Sequence, residues 1–191
     1  MRVVGACIAA CWVGLGVVWL VLAIGAKPSI PAPRRTWRIA ARAIGFVIVA
    51  LLVLRLRGGR LVAFPSGPGP GPGPARAWAG VALCALGVAV ALWARIVLGR
   101  NWGIPMSRRR EPELVTSGPY RLVRHPIYSG ILLAMLGSAL AAGTLWIVPL
   151  VLGAGYFLYS ARQEEAFMEQ RFPDRYPAYR QRTKRLIPFL L

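Results

Sequence analysis

Acid and histidine are scarce in this chain. Six Asp and Glu stand against 24 Lys and Arg, and His125 is the single histidine. One histidine cannot build a His/Cys metal cluster, and Cys7, Cys11 and Cys84 all fall inside apolar segments. The expectation is therefore no metal and no disulfide framework. Asp174 is the only aspartate and no serine sits in an elbow motif, so a Ser–His–Asp triad cannot be assembled. A dinucleotide fingerprint is missing too: GLGVVW at 14–19 lacks its third glycine and lies within an apolar run. Charge as a whole is sparse, at 16% of residues, where a soluble domain carries about a quarter.

What the chain has in abundance is apolar residues, 57% of the total, gathered in blocks. Blocks without amphipathic spacing read as an integral membrane protein. The formal charge of +18 fits that reading. Its arginines flank the apolar blocks and form no soluble basic domain, so membrane orientation accounts for them and no nucleic-acid partner is expected. The fold class expected is all-α, an integral membrane bundle of about five transmembrane helices.

The expected spans are residues 3–26, 39–57, 77–98, 127–142 and 144–160. The first is longer than the ~7–15 apolar residues of a secretory core, so it is expected to remain as a span. Only Gly143 clearly separates the last two, which predicts a tight antiparallel helical hairpin. Arg42 and Arg95 lie near span ends, where long side chains snorkel to headgroups. Between spans two and three, a Gly-Pro repeat at 67–74 reads as a stiff exposed linker, since alternating prolines offer no N–H to an anion. The division expected is two N-terminal helices in 1–66, the linker in 67–76 and a core in 77–191, within one membrane domain. The loop after span one, the stretch 95–124 and the tail from Arg162 carry most of the cations. The positive-inside rule then puts the N-terminus outside, with the C-terminus and the polar stretch 99–126 cytoplasmic.

Polar chemistry gathers in GPYRLVRHPIYSG, residues 118–130. Pro126 suits the first turn of a helix, which places Arg124 and His125 at its positive end, where anionic groups are favoured. Tyr120 and Tyr128 can stack or donate. These residues form either a ligand site or an interfacial belt. Glu164 and Glu165 close the last span, and the hairpin would bring them to Arg124 and His125. They serve either as structural ion pairs or to hold a cation or a hydroxyl.

GPYRLVRHPIYSG resembles the GPY-x-x-x-RHP-x-Y-x-G signature of the isoprenylcysteine carboxyl methyltransferase family, related more loosely to phospholipid N-methyltransferases. EEAFMEQRFPDRYPAYRQRTKRLIP is similar to that family's acidic tail pattern, and LGRNWG at 98–103 to a weaker third element. Met168 replaces the usual Leu, and Pro173 stands where glycine is frequent. The resemblance implies a membrane enzyme using S-adenosylmethionine in a cytosolic pocket formed by the last hairpin, the loop before it and the tail. It implies Tyr120, Leu122, Val123, His125, Pro126, Tyr128, Glu164 and Glu165 as cofactor-pocket residues. Arg124 would orient an anionic group such as a substrate carboxylate, and Arg124 and Glu165 are the expected catalytic residues. A lipophilic acceptor would enter from the bilayer. The expected acceptor is the carboxylate of an isoprenylcysteine-like or other lipid, which needs no base because it is ionised at pH 7. The alternatives are a phospholipid or amine N-methyltransferase, or a non-enzymatic membrane protein.

Overall fold

The computed structural model describes residues 2–23, 73–102, 113–143 and 146–188. The second expected span and most of the Gly-Pro linker lie outside these. Five α-helices make up the described chain: α1 Arg2–Ala23, α2 Pro74–Leu98, α3 Pro126–Ala142, α4 Ile147–Arg171 and α5 Tyr176–Arg182. Short 3-10 turns occupy Gly99–Asn101 and Gly118–Arg121. Among the described residues there is no strand, only an isolated bridge between Val123 and Lys184.

By length and composition, α1 and α2 can each cross a membrane, and α3 is a shorter apolar helix. Their outward faces are apolar: Val13, Leu20, Trp78, Leu86 and Trp93 are all more than half exposed. Helix α2 begins at Pro74, before the expected Ala77, because the last proline of the repeat starts the helix with its ready-set φ. Helix α4 runs on to Arg171, well past Ser160, since Ala-Arg-Gln-Glu-Glu is made of strong helix formers.

The closest packing joins α2 to α3. Gly80 and Gly87 on one helix face Gly137 and Gly130 on the other, in steps of seven residues and antiparallel order. A Cβ on Gly137 would lie 2.3 Å from the Cys84 backbone nitrogen, and one on Gly87 would lie 2.4 Å from that of Ala134. Backbone touches backbone, so no side chain fits. Lipid gives little hydrophobic drive between helices, and small residues substitute close van der Waals contact for it. Helix α3 ends at Gly143, whose φ is +112°, and helix α4 packs on α3. Tyr128 of α3 stacks on Phe157 of α4 with ring centroids 4.5 Å apart.

Helix α1 runs parallel to α2. Trp12 donates to Ser138 of α3 at 3.0 Å, and Trp19 meets Trp102 edge to face. Arg95 is not a snorkelling residue. It is 1% exposed, donates to the carbonyls of Gly99 at 2.8 Å and of Leu22, and lies 4.6 Å over the Trp102 ring. Gly99 caps α2, where carbonyls run out of helical partners, and this guanidinium satisfies its carbonyl from inside while tying α1 to α2 through Leu22. One end of the bundle thus gathers Leu22 of α1, the stop of α2, the start of α3 and the polar extension of α4.

Candidate functional site

The loop into α3 is shaped by two residues with special backbones. Gly118 has φ +58°, and Pro119 follows in a 3-10 turn that buries Tyr120. Upstream of a proline the chain is held out of the helical region, so the amides of Arg124 and His125 need acceptors elsewhere. The C-terminal tail supplies them. Arg124 N donates to the Lys184 carbonyl at 2.8 Å, and His125 N donates to the Arg185 carbonyl at 3.0 Å. Tyr179 Oη adds a bond to the Tyr120 carbonyl at 2.8 Å. Loop and tail therefore form one unit, with Tyr176, Thr183 and Leu186 buried beneath it.

Glu165 is the hub of that unit. Its Oε1 accepts from Arg124 Nε at 3.0 Å and Arg185 Nε at 2.9 Å, with His125 Nε2 at 3.3 Å; its Oε2 accepts from Arg185 Nη2 at 2.8 Å. The carboxylate is 4% exposed. Burial pushes its pKa up, but the hydrogen bonds from His125, Arg185 and Arg124 outweigh burial and hold it well below the usual carboxylate range. Arg124 also donates through Nη1 to the carbonyls of Arg180, at 3.2 Å, and Thr183, closing the C-terminal end of α5.

Beside the hub, Glu164 accepts from Tyr128 Oη at 2.6 Å and lies 3.6 Å from His125 Nδ1. The His125 ring is thus set between two carboxylates, and it stacks on Tyr128 at 5.3 Å. Burial pushes the phenols of Tyr120 and Tyr176 up and that of Tyr179 to about 12, so all three stay protonated donors at neutral pH.

These side chains open onto a cavity of about 350 Å³. That is within the ~300–1,000 Å³ of small-molecule sites. Its floor is aromatic, with Trp102, Tyr128 and Phe157. Its acidic lining is Glu113, Glu164 and Glu165, half of the six acids in the chain.

The family model for phospholipid methyltransferase matches residues 75–175, more than half of the chain. The chain belongs to the phospholipid methyltransferase family. It is 31% identical over 156 residues to the protein-S-isoprenylcysteine O-methyltransferase of Schizosaccharomyces pombe, covering 75% of this chain and 66% of that protein. It is 32% identical over 115 residues to protein-S-isoprenylcysteine O-methyltransferase B of Arabidopsis thaliana, covering 58% of each. It is 34% identical over 116 residues to the cobalt-zinc-cadmium resistance protein CzcN of Cupriavidus metallidurans, covering 59% of this chain and 52% of that protein. The chain thus spans between about half and two thirds of the length of these relatives.

Within the family's matched segment, the fold brings Tyr120, Arg124, His125, Tyr128, Glu164 and Glu165 together around the cavity. Leu122, Val123 and Pro126 do not line it. Leu122 is 53% exposed and gives its carbonyl to Lys184 N, Val123 is buried at the bridge to the tail, and Pro126 is buried in the first turn of α3. Their part is to set the loop. Arg124 lines the cavity and also orders the tail, with three of its bonds going to Glu165 and to the carbonyls of Arg180 and Thr183. Sequence reasoning missed Trp102 and Glu113 on the cavity wall, and Tyr176, Tyr179 and Arg185 of the tail. The LGRNWG element contains Trp102 and was a usable signal. The tail residues lie past Arg175, where the family match stops.

Proposed function

We propose that this family member is a membrane methyltransferase that takes the methyl group of S-adenosylmethionine to a lipophilic acceptor. The observation that carries the reading is the acid-lined aromatic cavity in a chain of net charge +18. S-adenosylmethionine brings a sulfonium and an ammonium group, both cationic, together with a flat purine. Glu113 and Glu164 match the cations, the Trp102 and Tyr128 rings match the purine, and Glu165, bound to Arg124 and Arg185, fixes the wall that carries His125. When bound, the cofactor supplies an activated methyl group for in-line displacement. The chain's own part is to align the two reactants and exclude water, which can lower a barrier by ~7–11 kcal/mol. His125, fixed by two carboxylates and by stacking, serves as a rigid wall of that pocket.

The charge of the loops supports a site facing the cytoplasm with the N-terminus outside, and an acceptor arriving from the bilayer between helices. The acceptor chemistry divides on Arg124. A carboxylate acceptor, as named for the isoprenylcysteine relatives, would need a cation beyond the committed Arg124. An amine acceptor is the second reading, and Glu164 favours it. That carboxylate lies on the cavity wall, hydrogen-bonded to Tyr128, where it can attract a protonated amine and receive its proton.

The test is methyl-labelled S-adenosylmethionine given to membranes bearing the protein, with a lipid extract as acceptor. A base-labile labelled lipid identifies a carboxyl ester and a base-stable one an amine. No labelled lipid, from protein that otherwise folds, would remove the enzyme reading in favour of a non-enzymatic membrane protein.

A further inference from the structure

The residue that the family match does not reach, and that the reading above does not use, is Arg185. We infer that Arg185 is a positioning residue: from the tail, its guanidinium sets the Glu165 carboxylate and through it the His125 ring against the cavity. The inference rests on the methyltransferase reading for its functional meaning, while its geometry stands apart from that reading.

Three contacts close a ring through distant parts of the chain. The His125 amide holds the Arg185 carbonyl at 3.0 Å. The Arg185 guanidinium grips both oxygens of Glu165, at 2.9 and 2.8 Å. Glu165 Oε1 returns to His125 Nε2 at 3.3 Å. The two Glu165 oxygens are not equivalent. Oε1 has Arg124, His125 and Arg185 around it, whereas among the described residues Oε2 is held by Arg185 alone. Without Arg185 the carboxylate keeps its place through one oxygen and is free to rotate about it, taking the His125 contact with it.

A fork is required for this task. Two parallel N–H donors fix both the position and the plane of a carboxylate, which a lysine ammonium cannot do. Arg185 also sits where it can be changed without collapsing the tail. Its side chain is 21% exposed, and the tail is anchored separately by buried Tyr176, Thr183 and Leu186.

The single histidine makes the test direct, because ring-labelled histidine in untagged full-length protein gives one imidazole signal. In nanodiscs, Arg185→Gln is expected to shift that signal with no cofactor present, Arg185→Lys to leave it shifted, and Arg182→Gln to leave it in place. An unmoved His125 signal in Arg185→Gln overturns the inference whatever the enzyme does. Binding of S-adenosylhomocysteine, measured by calorimetry, gives the functional arm. Arg185→Gln is expected to raise Kd about tenfold, the scale of one lost charge-assisted contact. In a Glu165→Gln background the same change is expected to add less than about twofold. An equal effect in both backgrounds would show Arg185 acting independently of Glu165 and would also overturn the inference. Wild-type protein that binds no S-adenosylhomocysteine, yet shows the histidine shift, would remove the methyltransferase reading and leave the positioning geometry standing.

Discussion

The contact between α2 and α3 and the ring of charge at the mouth of α3 are held together in opposite ways. The first is built on small residues: glycine meets backbone at distances no Cβ tolerates, and the side chains beside it are as short as Cys84 and Ser138. The second joins loop to tail by backbone bonds and long charged side chains, with Glu165 gathering Arg124, Arg185 and His125. The solvent around each explains the difference. In hydrocarbon, helices gain by approaching closely and lose by carrying charge. Beyond the apolar part of α4, charge is tolerated if it is paired, and pairing can be directed at a pocket.

The largest expected effect breaks the first region. Gly137→Leu places a branched side chain where even a Cβ would lie 2.3 Å from the backbone of α2. The two helices cannot close, and the cooperative melting transition in detergent should disappear. A normal transition in this variant would mean the α2–α3 contact is not what holds the bundle.

Glu165→Ala comes next and breaks the second region. It leaves Arg124 and Arg185 facing each other without their shared anion, which should cost about 3 kcal/mol. The same pair has a pH signature. The folded pKa of Glu165 lies below its unfolded value of about 4.3. Its stabilisation is therefore complete above about pH 4.3 and is lost as the pH falls toward the lower, folded value. Melting temperature should drop more steeply below about pH 4.3 in the wild type than in Glu165→Gln, and parallel curves would argue against the hub.

Smaller changes sharpen the boundary of the charged region. Tyr179→Phe removes one hydrogen bond to the Tyr120 carbonyl and should lower stability by about 1 kcal/mol, with the loss seen as faster proteolysis of the tail. Glu169→Gln breaks the exposed pair with Arg180 and should change melting by less than about 0.5 kcal/mol. If the Glu169 effect matched that of Glu165, charge in general and not the buried hub would be the organising feature.

Residue types announced some of this and hid the rest. RHP and the paired glutamates were legible because polar groups beside apolar runs are conspicuous, and the packing of α4 on α3 brings them into contact. The glycine seam was written in the sequence as Gly80, Gly87, Gly130 and Gly137, yet span length and hydropathy do not register a seven-residue step of small residues. Arg95 at a span end could point outward to headgroups or inward to carbonyls. Only the arrival of Leu22 and Trp102 from elsewhere in the chain decides for inward. Arg185 was one arginine among many in a basic tail, and its partner lies twenty residues away on α4.

The central claim is that the acid-lined cavity beside His125 holds the methyl donor. Calorimetric titration of S-adenosylmethionine into the full-length protein in nanodiscs tests it most directly. The account predicts saturable one-to-one binding that weakens by about tenfold or more in Glu165→Gln, where the hub loses its charge but keeps its shape. Binding of equal strength in wild type and Glu165→Gln, or no binding by folded wild type, would contradict it.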